Sequence, residues 1–308
     1  MSDTVITVLM STYNGEKYVK QQIDSILAQT IWQKCRLFVR DDGSKDNTPF
    51  ILQEYADKGL ICYEKGENVG FAKSFFYLMQ NAEKVTGSSD YYAFCDQDDF
   101  WMPNKLETAL NCLQNHPDLQ KPLLYYSNME VCDSNLNFVC KNDFRKTPPD
   151  FTELCLNSVL YGFTFVFNDI LLKKVCQLDS AKIDGHDFIL AATAAALGTI
   201  ISDETVTAKY RRHDANTSQS RKFTVKALIW KIKRFLINRN NRIKLQIENF
   251  YDVFKTELKE KDLHLVKLLV GDKSVHFKKL KLLFYPARFR QSIFQDFVLR
   301  VFLFLGLL

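Results

Sequence analysis

The chain is poor in the two residues that punctuate repetitive and low-complexity proteins. It has 11 Gly and 7 Pro among 308 residues, too few for a collagenous or unstructured polymer. No Gly-x-Gly-x-x-Gly follows the first apolar run, and Gly-x-x-x-x-Gly-Lys-Ser/Thr occurs nowhere. A dinucleotide dehydrogenase and a P-loop NTPase therefore both lose the glycine cradle with which those classes hold phosphate. Eight cysteines are present but no two stand as Cys-x-x-Cys, which argues against a zinc ribbon or a thioredoxin-like site. Several lie in apolar runs, as Cys95 does in Tyr-Ala-Phe-Cys, and read as small core residues. The most apolar stretch, residues 297–308, is short and carries Arg300, so no bilayer span is expected. No basic segment, apolar run and cleavage site precede Val-Ile-Thr-Val-Leu-Met (5–10), and a cytoplasmic, reducing location is expected.

What is present describes a soluble globular protein: 46% apolar and 25% charged residues. The net charge of +5 is unevenly placed. Residues 221–308 hold 20 Lys/Arg against seven Asp/Glu, net +13, and residues 1–220 hold 21 against 29, net −8. An acidic body suits cations, and a basic tail suits an anionic surface.

Along the first hundred residues two hydrophobic periods alternate. Apolar runs at 5–10, 37–39, 61–63 and 91–94 read as strands, and 18–29, 48–58 and 71–84 read as helices. Continuous apolar strands alternating with helices predict an α/β fold, a mostly parallel sheet covered by helices. A helix over 104–115, strands over 123–127 and 163–167, and helices from 169 and near 187 are expected to follow. Further strands are expected over 199–202 and 206–210, with a domain boundary near Ser220 and a helical, basic region over 221–308.

In such sheets ligands bind beyond the carboxyl ends of the strands, and each early strand ends in a polar cluster. These are Ser-Thr-Tyr-Asn-Gly-Glu (11–16), Arg-Asp-Asp-Gly-Ser-Lys-Asp (40–46), Glu-Asn-Val-Gly (67–70) and Asp-Gln-Asp-Asp (96–99). Three carboxylates within four residues at the end of an apolar strand repel one another, and a hard divalent cation relieves that repulsion. A solvated acidic turn is the alternative. Asp41 and Asp42 read either as helix caps or as acceptors for the N3–H of uracil or thymine. Gly70 reads as a tight turn or a ligand loop. Downstream, His186-Asp187 opens a helix, where Asp187 is an N-cap or a general base for a sugar hydroxyl. Tyr-Arg-Arg-His (210–213) ends a strand: His213 suits a metal or a diphosphate, and Arg211 or Arg212 suits the diphosphate.

Taken in order, Met-Ser-Thr-Tyr-Asn-Gly-Glu (10–16), Arg-Asp-Asp-Gly-Ser-x-Asp (40–46), Glu-Asn-Val-Gly (67–70) and Asp-Gln-Asp-Asp (96–99) resemble the family 2 glycosyltransferases of GT-A fold. Gly-Phe-Thr-x-x-x-Asn (162–168), His186-Asp187 and Tyr-Arg-x-His-x-x-Asn (210–216) are similar to its rhamnosyltransferase-like branch, which builds bacterial surface polysaccharides. The resemblance implies a catalytic domain over 1–220, with a nucleotide-sugar half (1–105) and an acceptor half (106–220). It implies that Asp41 binds the base, with Thr12, Tyr13 and Glu16 around base and ribose. Asp42, Asn68, Gly70, Lys73, Gln97, Arg211 and Arg212 complete the nucleotide-sugar contacts. Asp96 reaches the ribose or the metal, Asp98 is the principal ligand of Mg²⁺ or Mn²⁺ with His213, and Asp99 supports that shell. Asp187 is the base of an inverting transfer. Gly162, Phe163, Thr164 and His186 line the acceptor side. The Gln-x-x-Arg-Trp motif of the family's processive synthases is missing, so transfer of one or a few sugars is implied. The branch often has Trp after His-Asp, and here Phe188 follows.

The donor implied is dTDP-L-rhamnose, or a UDP-hexose, since thymine and uracil present the same N3–H. The acceptor implied is a glycan, polyprenyl-diphosphate-linked, at the inner face of the cell membrane. A nucleotidyltransferase and a non-catalytic sugar-nucleotide sensor are the competing classes. Basic, aromatic-rich stretches at 225–239 and 278–290 suit an anionic membrane surface. Packing on the body or on a second subunit, as in a homodimer, is the alternative. No recognition motif supports nucleic-acid binding.

Overall fold

The computed structural model describes residues 4–213, 240–270 and 276–305. The first half is built as the hydrophobic periods predict. Strand β1 (Ile6–Thr12) is followed by α1 (Val19–Leu27), β2 (Cys35–Asp41), α2 (Thr48–Asp57), β3 (Cys62–Lys65), α3 (Phe71–Thr86) and β4 (Tyr91–Asp96). Side chains alternate across β1: Ile6, Val8 and Met10 join a core with Val19 and Ile23 of α1, and Leu9 faces Phe75 and Phe76 of α3. A strand buried on both faces carries apolar residues on both, which is why this run does not alternate in sequence; its one polar member before Ser11, the buried Thr7, is hydrogen-bonded to Ser89 (2.7 Å).

The second half adds β5 (Phe100–Trp101), α4 (Lys105–Gln114), β6 (Leu123–Cys132), β7 (Phe138–Lys141), α5 (Phe151–Leu154), β8 (Phe165–Asn168), α6 (Asp169–Val175), α7 (His186–Leu197) and β9 (Thr199–Arg211). The strand order is β3-β2-β1-β4-β8-β6-β9-β5, with β7 paired to β6. β1, β2, β3 and β4 pair in parallel, as do β6 and β9, whereas β8 runs antiparallel between β4 and β6. The chain leaves β1 toward β2 on one side and toward β4 on the other. Sheets of this class bind ligands where the strand order reverses in this way, which here is at the carboxyl ends of β1 and β4.

One expectation is corrected, and one strand was not foreseen. The strands expected over 199–202 and 206–210 form one strand, β9, in which Ser127 pairs Asp203 but Asn128 pairs Val206. The polar Asp-Glu-Thr interruption is a bulge, closed by a hydrogen bond from Thr205 N to Asp203 Oδ1 (2.8 Å). Strand β7, whose four residues are all exposed, has no buried face and so left no periodic signal.

Four helices follow in the C-terminal region: α8 (Asn240–Phe254), α9 (Glu260–Val270), α10 (His276–Leu283) and α11 (Ile293–Leu305). Ile243, Ile247, Phe250 and Phe254 of α8 share a core with Phe151, Leu154 and Ile183. Asp179 N donates to Asn249 Oδ1 (3.2 Å) and Asp184 N to Gln246 Oε1 (3.0 Å). The boundary expected near Ser220 and the basic stretch at 225–239 lie outside the described residues.

Candidate active site

Sheet register sets the site. Thr12 of β1 stands beside Asp41 of β2, and Ser11 beside Asp96 of β4, so three strand ends deliver their polar clusters to one edge.

On the β2 side the carboxylates are already engaged. Asp41, fully buried, accepts from Thr12 Oγ1 (3.0 Å), from Ser44 N (2.9 Å) and from the Ser44 hydroxyl. Asp42 pairs with Arg40 (2.5 Å) and accepts from Val69 N (3.0 Å) and Gly70 N (2.9 Å). Gly70 has φ +84°, a left-handed backbone that glycine takes without strain. Gly43 has φ +81°, and a Cβ there would lie 2.9 Å from Asn68 N. The Asp-Asp-Gly-Ser cluster thus binds the Asn68–Gly70 turn to the end of β2. Glu16 accepts from Asn47 N (2.9 Å) and its own N–H donates to Asp46 Oδ2 (3.1 Å). Gln97 accepts from Tyr13 N (2.9 Å) and donates to Tyr13 O (3.0 Å), joining the loops after β1 and β4. Tyr13 and Lys73 are exposed.

The β4 end holds the negative charge. Asp96 is pushed up to about 7 by burial first, then by Asp98 and Asp187. Asp99, with no exposed surface, is driven well above the carboxylate range by burial, then by Asp98 and Asp96. Its Oδ1 accepts from Arg211 N (3.1 Å), and its Oδ2 has no hydrogen-bond partner among the described residues. Asp98 Oδ2 lies 2.8 Å from His213 Nε2. Burial and like charge together disfavour three anions here, and a cation would relieve both. Among the described residues no three His, Cys, Asp or Glu side chains gather closely enough to hold a metal by themselves. The donor set suits a site completed by water and substrate phosphate, as Mg²⁺ sites commonly are.

Arg211 departs from its expected place. It is 1% exposed, donates to Asp98 O (2.7 Å), Ser134 O (2.6 Å) and Gln21 Oε1 (2.6 Å), and lies 4.4 Å over the Tyr18 ring. Its guanidinium organises the Asp98–Asp99 turn from beneath, and Arg212 is the exposed arginine of the pair.

Asp187 is the second residue of α7, and its charge adds to the burial and to Asp98 in raising Asp96. Its Oδ1 accepts from Phe188 N (2.7 Å) and its Oδ2 lies 3.4 Å from Ser158 Oγ. A Cβ at Gly162 would stand 3.0 Å from Asp187 Cβ and 3.3 Å from His186 Nε2, so glycine there lets the two segments close. Phe163 and Thr164 are buried: Phe163 stacks on Tyr210 (5.6 Å), and Thr164 donates to Tyr161 O (2.7 Å). His186 stacks on Phe75 at 3.8 Å with Phe94 edge-on at 4.8 Å. Burial pushes its imidazole down to about 4, against the opposing pull of Asp187.

Sequence reasoning missed the layer beneath the site. Lys105 is fully buried, with its Nζ 4.9 Å over the Trp101 ring and no hydrogen-bond partner among the described residues. Burial pushes it down to about 7. The spacing Trp101-x-x-x-Lys105 was visible, but a lysine at a helix start ordinarily faces solvent. Tyr18, at the N-cap of α1, and Gln21 within it hold Arg211 but look in sequence like ordinary helix residues.

Comparison with known proteins follows this geometry. Residues 7–175 match the profile of Glycosyl transferase family 2, a span running from β1 through α6. An uncharacterized glycosyltransferase of Rickettsia typhi is 31% identical over 221 residues, covering 70% of this chain and 66% of that protein. Escherichia coli WfgD, named a UDP-Glc:alpha-D-GlcNAc-diphosphoundecaprenol beta-1,3-glucosyltransferase, is 31% identical over 136 residues (44% of this chain, 49% of WfgD). Shigella flexneri RfbG, named a dTDP-rhamnosyl transferase, is 33% identical over 112 residues (34% of this chain, 36% of RfbG). The chain thus spans between about a third and two thirds of the length of these relatives. In fold it is similar to S. aureus TarS residues 1–349, with a TM-score of 0.56 at 16% identity over 96% of this chain and 89% of that one. With the match covering the strand ends that carry the acidic clusters, the chain belongs to Glycosyl transferase family 2.

Proposed function

We propose that the protein is an inverting, metal-dependent glycosyltransferase that moves L-rhamnose from dTDP-L-rhamnose to a lipid-linked glycan acceptor in bacterial surface polysaccharide synthesis. The observation that carries this reading is the contact of Asp98 with His213 at the carboxyl edge of the sheet, next to the buried Asp96, whose proton affinity the charge of Asp187 helps to raise. An inverting transfer needs one base and one stabilised leaving group. Asp187, at the start of α7, takes the proton of the attacking hydroxyl. Asp98 with His213, and Asp96 beside them, would hold Mg²⁺ or Mn²⁺, which offsets charge on the departing nucleoside diphosphate. Arg212, exposed just past the end of β9, would help neutralise the same anion. Asp41 would accept from the N3–H of the base, with Asp42 fixing the Asn68–Gly70 turn beside it and Tyr13, Asn68 and Lys73 completing the contacts to the nucleotide sugar.

The name of RfbG supports the rhamnose donor. A second reading, transfer from UDP-glucose, is favoured by the longer match to WfgD. WfgD's named acceptor, a sugar diphosphoundecaprenol, supports a lipid-linked acceptor for this chain and a peripheral place at the inner membrane face. No helix among the described residues is long and apolar enough to cross a membrane.

The test is a thermal-shift panel of dTDP-rhamnose and UDP-glucose, with and without Mn²⁺, since a ligand of the native state raises the melting temperature. A Mn²⁺-dependent shift with dTDP-rhamnose supports the first reading, and one with UDP-glucose alone transfers support to the second. Asp187→Asn should keep the donor shift and lose sugar transfer by at least a hundredfold. Turnover equal to wild type removes Asp187 as the base.

A further inference from the structure

Helix α11 has two charged residues, Asp296 and Arg300, and both are turned inward. They pair at 2.6 Å with side chains 8% and 12% exposed. Asp296 Oδ1 also accepts from Phe289 N (2.6 Å) and Arg290 N (3.1 Å). Arg300 donates to Leu283 O (3.0 Å), Tyr285 O (2.7 Å) and Ala287 O (2.7 Å), and lies 5.3 Å over the Phe289 ring. The pair staples α11 to the segment between it and α10, and every charge on the helix is consumed in doing so.

The outer face is left apolar. Ile293 is 75% exposed, Phe294 56%, Phe297 61%, Phe304 36% and Leu305 55%, with Phe284 at 74% beside them. At 100° per residue, positions 293, 294, 297, 304 and 305 fall within one stripe about 120° wide. Leu299 and Leu303, on the opposite side, enter the core. Five large apolar side chains in one exposed stripe are far from the scattered pattern of an ordinary surface.

We infer that this stripe is a bilayer-insertion face, by which α11 lies in the interface of an anionic membrane. The chain around it supplies the complementary charge: Lys281 and Arg288 are exposed nearby, and residues 221–308 carry a net +13. Apolar residues that enter the acyl boundary, ringed by cations that meet lipid phosphates, are the pattern of interfacial helices. The 13 residues of α11 reach about 20 Å, short of a ~30 Å hydrocarbon core, so the helix lies in the plane. A second copy is the poorer occupant, because an isologous contact on this face would bring two +13 segments together. The inference deepens the proposed placement at the membrane, but its readout needs no sugar transfer.

The experiment is flotation of the full chain with extruded phosphatidylcholine vesicles, with and without 30% phosphatidylglycerol, for wild type and Phe294→Ser/Phe297→Ser. Both side chains are exposed, so the variant should keep the wild-type melting temperature. Wild type should float with the anionic vesicles, and the double variant should lose at least tenfold in partition while keeping any donor-induced thermal shift. Phe138→Ser, at an exposed residue of β7, should float like wild type. Equal flotation of wild type and the double variant overturns the inference, as does failure of wild type to float. A wild-type dimer that the double variant converts to monomer, without vesicle binding in either, overturns it in favour of a second copy. Vesicle binding with no donor shift leaves this face standing and removes dTDP-rhamnose and UDP-glucose as donors instead.

Discussion

His213 Nε2 and Asp98 Oδ2 lie 2.8 Å apart across 115 residues of sequence, joining the end of β9 to the turn after β4. The His213 ring also rests 4.9 Å from that of Tyr18, which fixes its orientation. Removing either donor should weaken metal binding and leave the fold intact. Asp98→Ala is expected to abolish the Mn²⁺-dependent part of the donor thermal shift, and His213→Ala to reduce Mn²⁺ affinity by tenfold or more. Isothermal titration with Mn²⁺ reads both. Wild-type affinity in Asp98→Ala would remove Asp98 from the ligand set.

The acidic cluster makes an opposite prediction for the metal-free protein. Asp96 is raised to about 7 in the fold, against about 3.9 in an unfolded chain. Between those values the native state holds a proton that the unfolded state has lost. Stability therefore falls as pH rises from about 4 to about 7, by up to about 1.4 kcal/mol per unit. Asp96→Asn removes that loss, so it should unfold at a higher temperature than wild type at pH 8 without metal. Added Mn²⁺ should favour only the wild type. Urea melts at pH 5 and pH 8 would show it, and parallel curves for the two proteins would contradict the assignment.

Much of this site was legible because each strand end announces itself. An apolar run that stops at Asp-Gln-Asp-Asp or Arg-Asp-Asp-Gly-Ser has to leave the sheet there, and parallel pairing then brings those ends to one edge. What the sequence did not reveal is which carboxylates are spent on structure. Asp41 and Asp42 look alike in sequence to Asp98. In the fold Asp41 is held by Thr12 and Ser44, and Asp42 by Arg40 and two backbone amides. Arg211 and Arg212 are likewise adjacent in sequence and differ in burial: Arg211 is the last residue of β9 and turns inward, and Arg212, whose N–H donates to Cys132 O (2.8 Å), is exposed just past it. Such distinctions depend on partners tens of residues away, as Ser134 and Gln21 are for Arg211, and no local pattern encodes them.

For Arg211 the consequence is measurable. Its hydrogen bonds to Asp98 O, Ser134 O and Gln21 tie three segments together inside the protein. Arg211→Met should destabilise the fold by about 3 kcal/mol, the range found when one member of a buried polar network is removed. Arg211→Lys should recover only part of it, because an ammonium does not reproduce the planar fork. If Arg211 acted instead as an exposed diphosphate ligand, both variants would melt like wild type and lose only donor affinity. Denaturant titration beside donor binding separates the two outcomes.

The last prediction concerns which of two adjacent residues handles the proton. His186 and Asp187 open α7 together, and either type of side chain serves elsewhere as a general base. The fold separates them. His186 lies between Phe75 and Phe94 with its Nδ1 lacking a hydrogen-bond partner among the described residues, and burial holds it down to about 4. An unfolded histidine titrates near 6.5. From about pH 6.5 down to about 4 the unfolded chain therefore binds a proton that the native protein refuses. Stability is at its full value above pH 6.5 and falls as the solution is acidified through that window, by up to about 1.4 kcal/mol per unit. The ring nitrogen signals of His186 should accordingly show a neutral imidazole at pH 5.5, and His186→Asn should flatten the stability curve between pH 6.5 and 4.5. A His186 midpoint near 6.5 would contradict this account. A ring whose burial disfavours the cation is a poor acceptor for the proton of an attacking hydroxyl. It serves instead as an aromatic wedge against Phe75, fixing the start of the helix that carries Asp187.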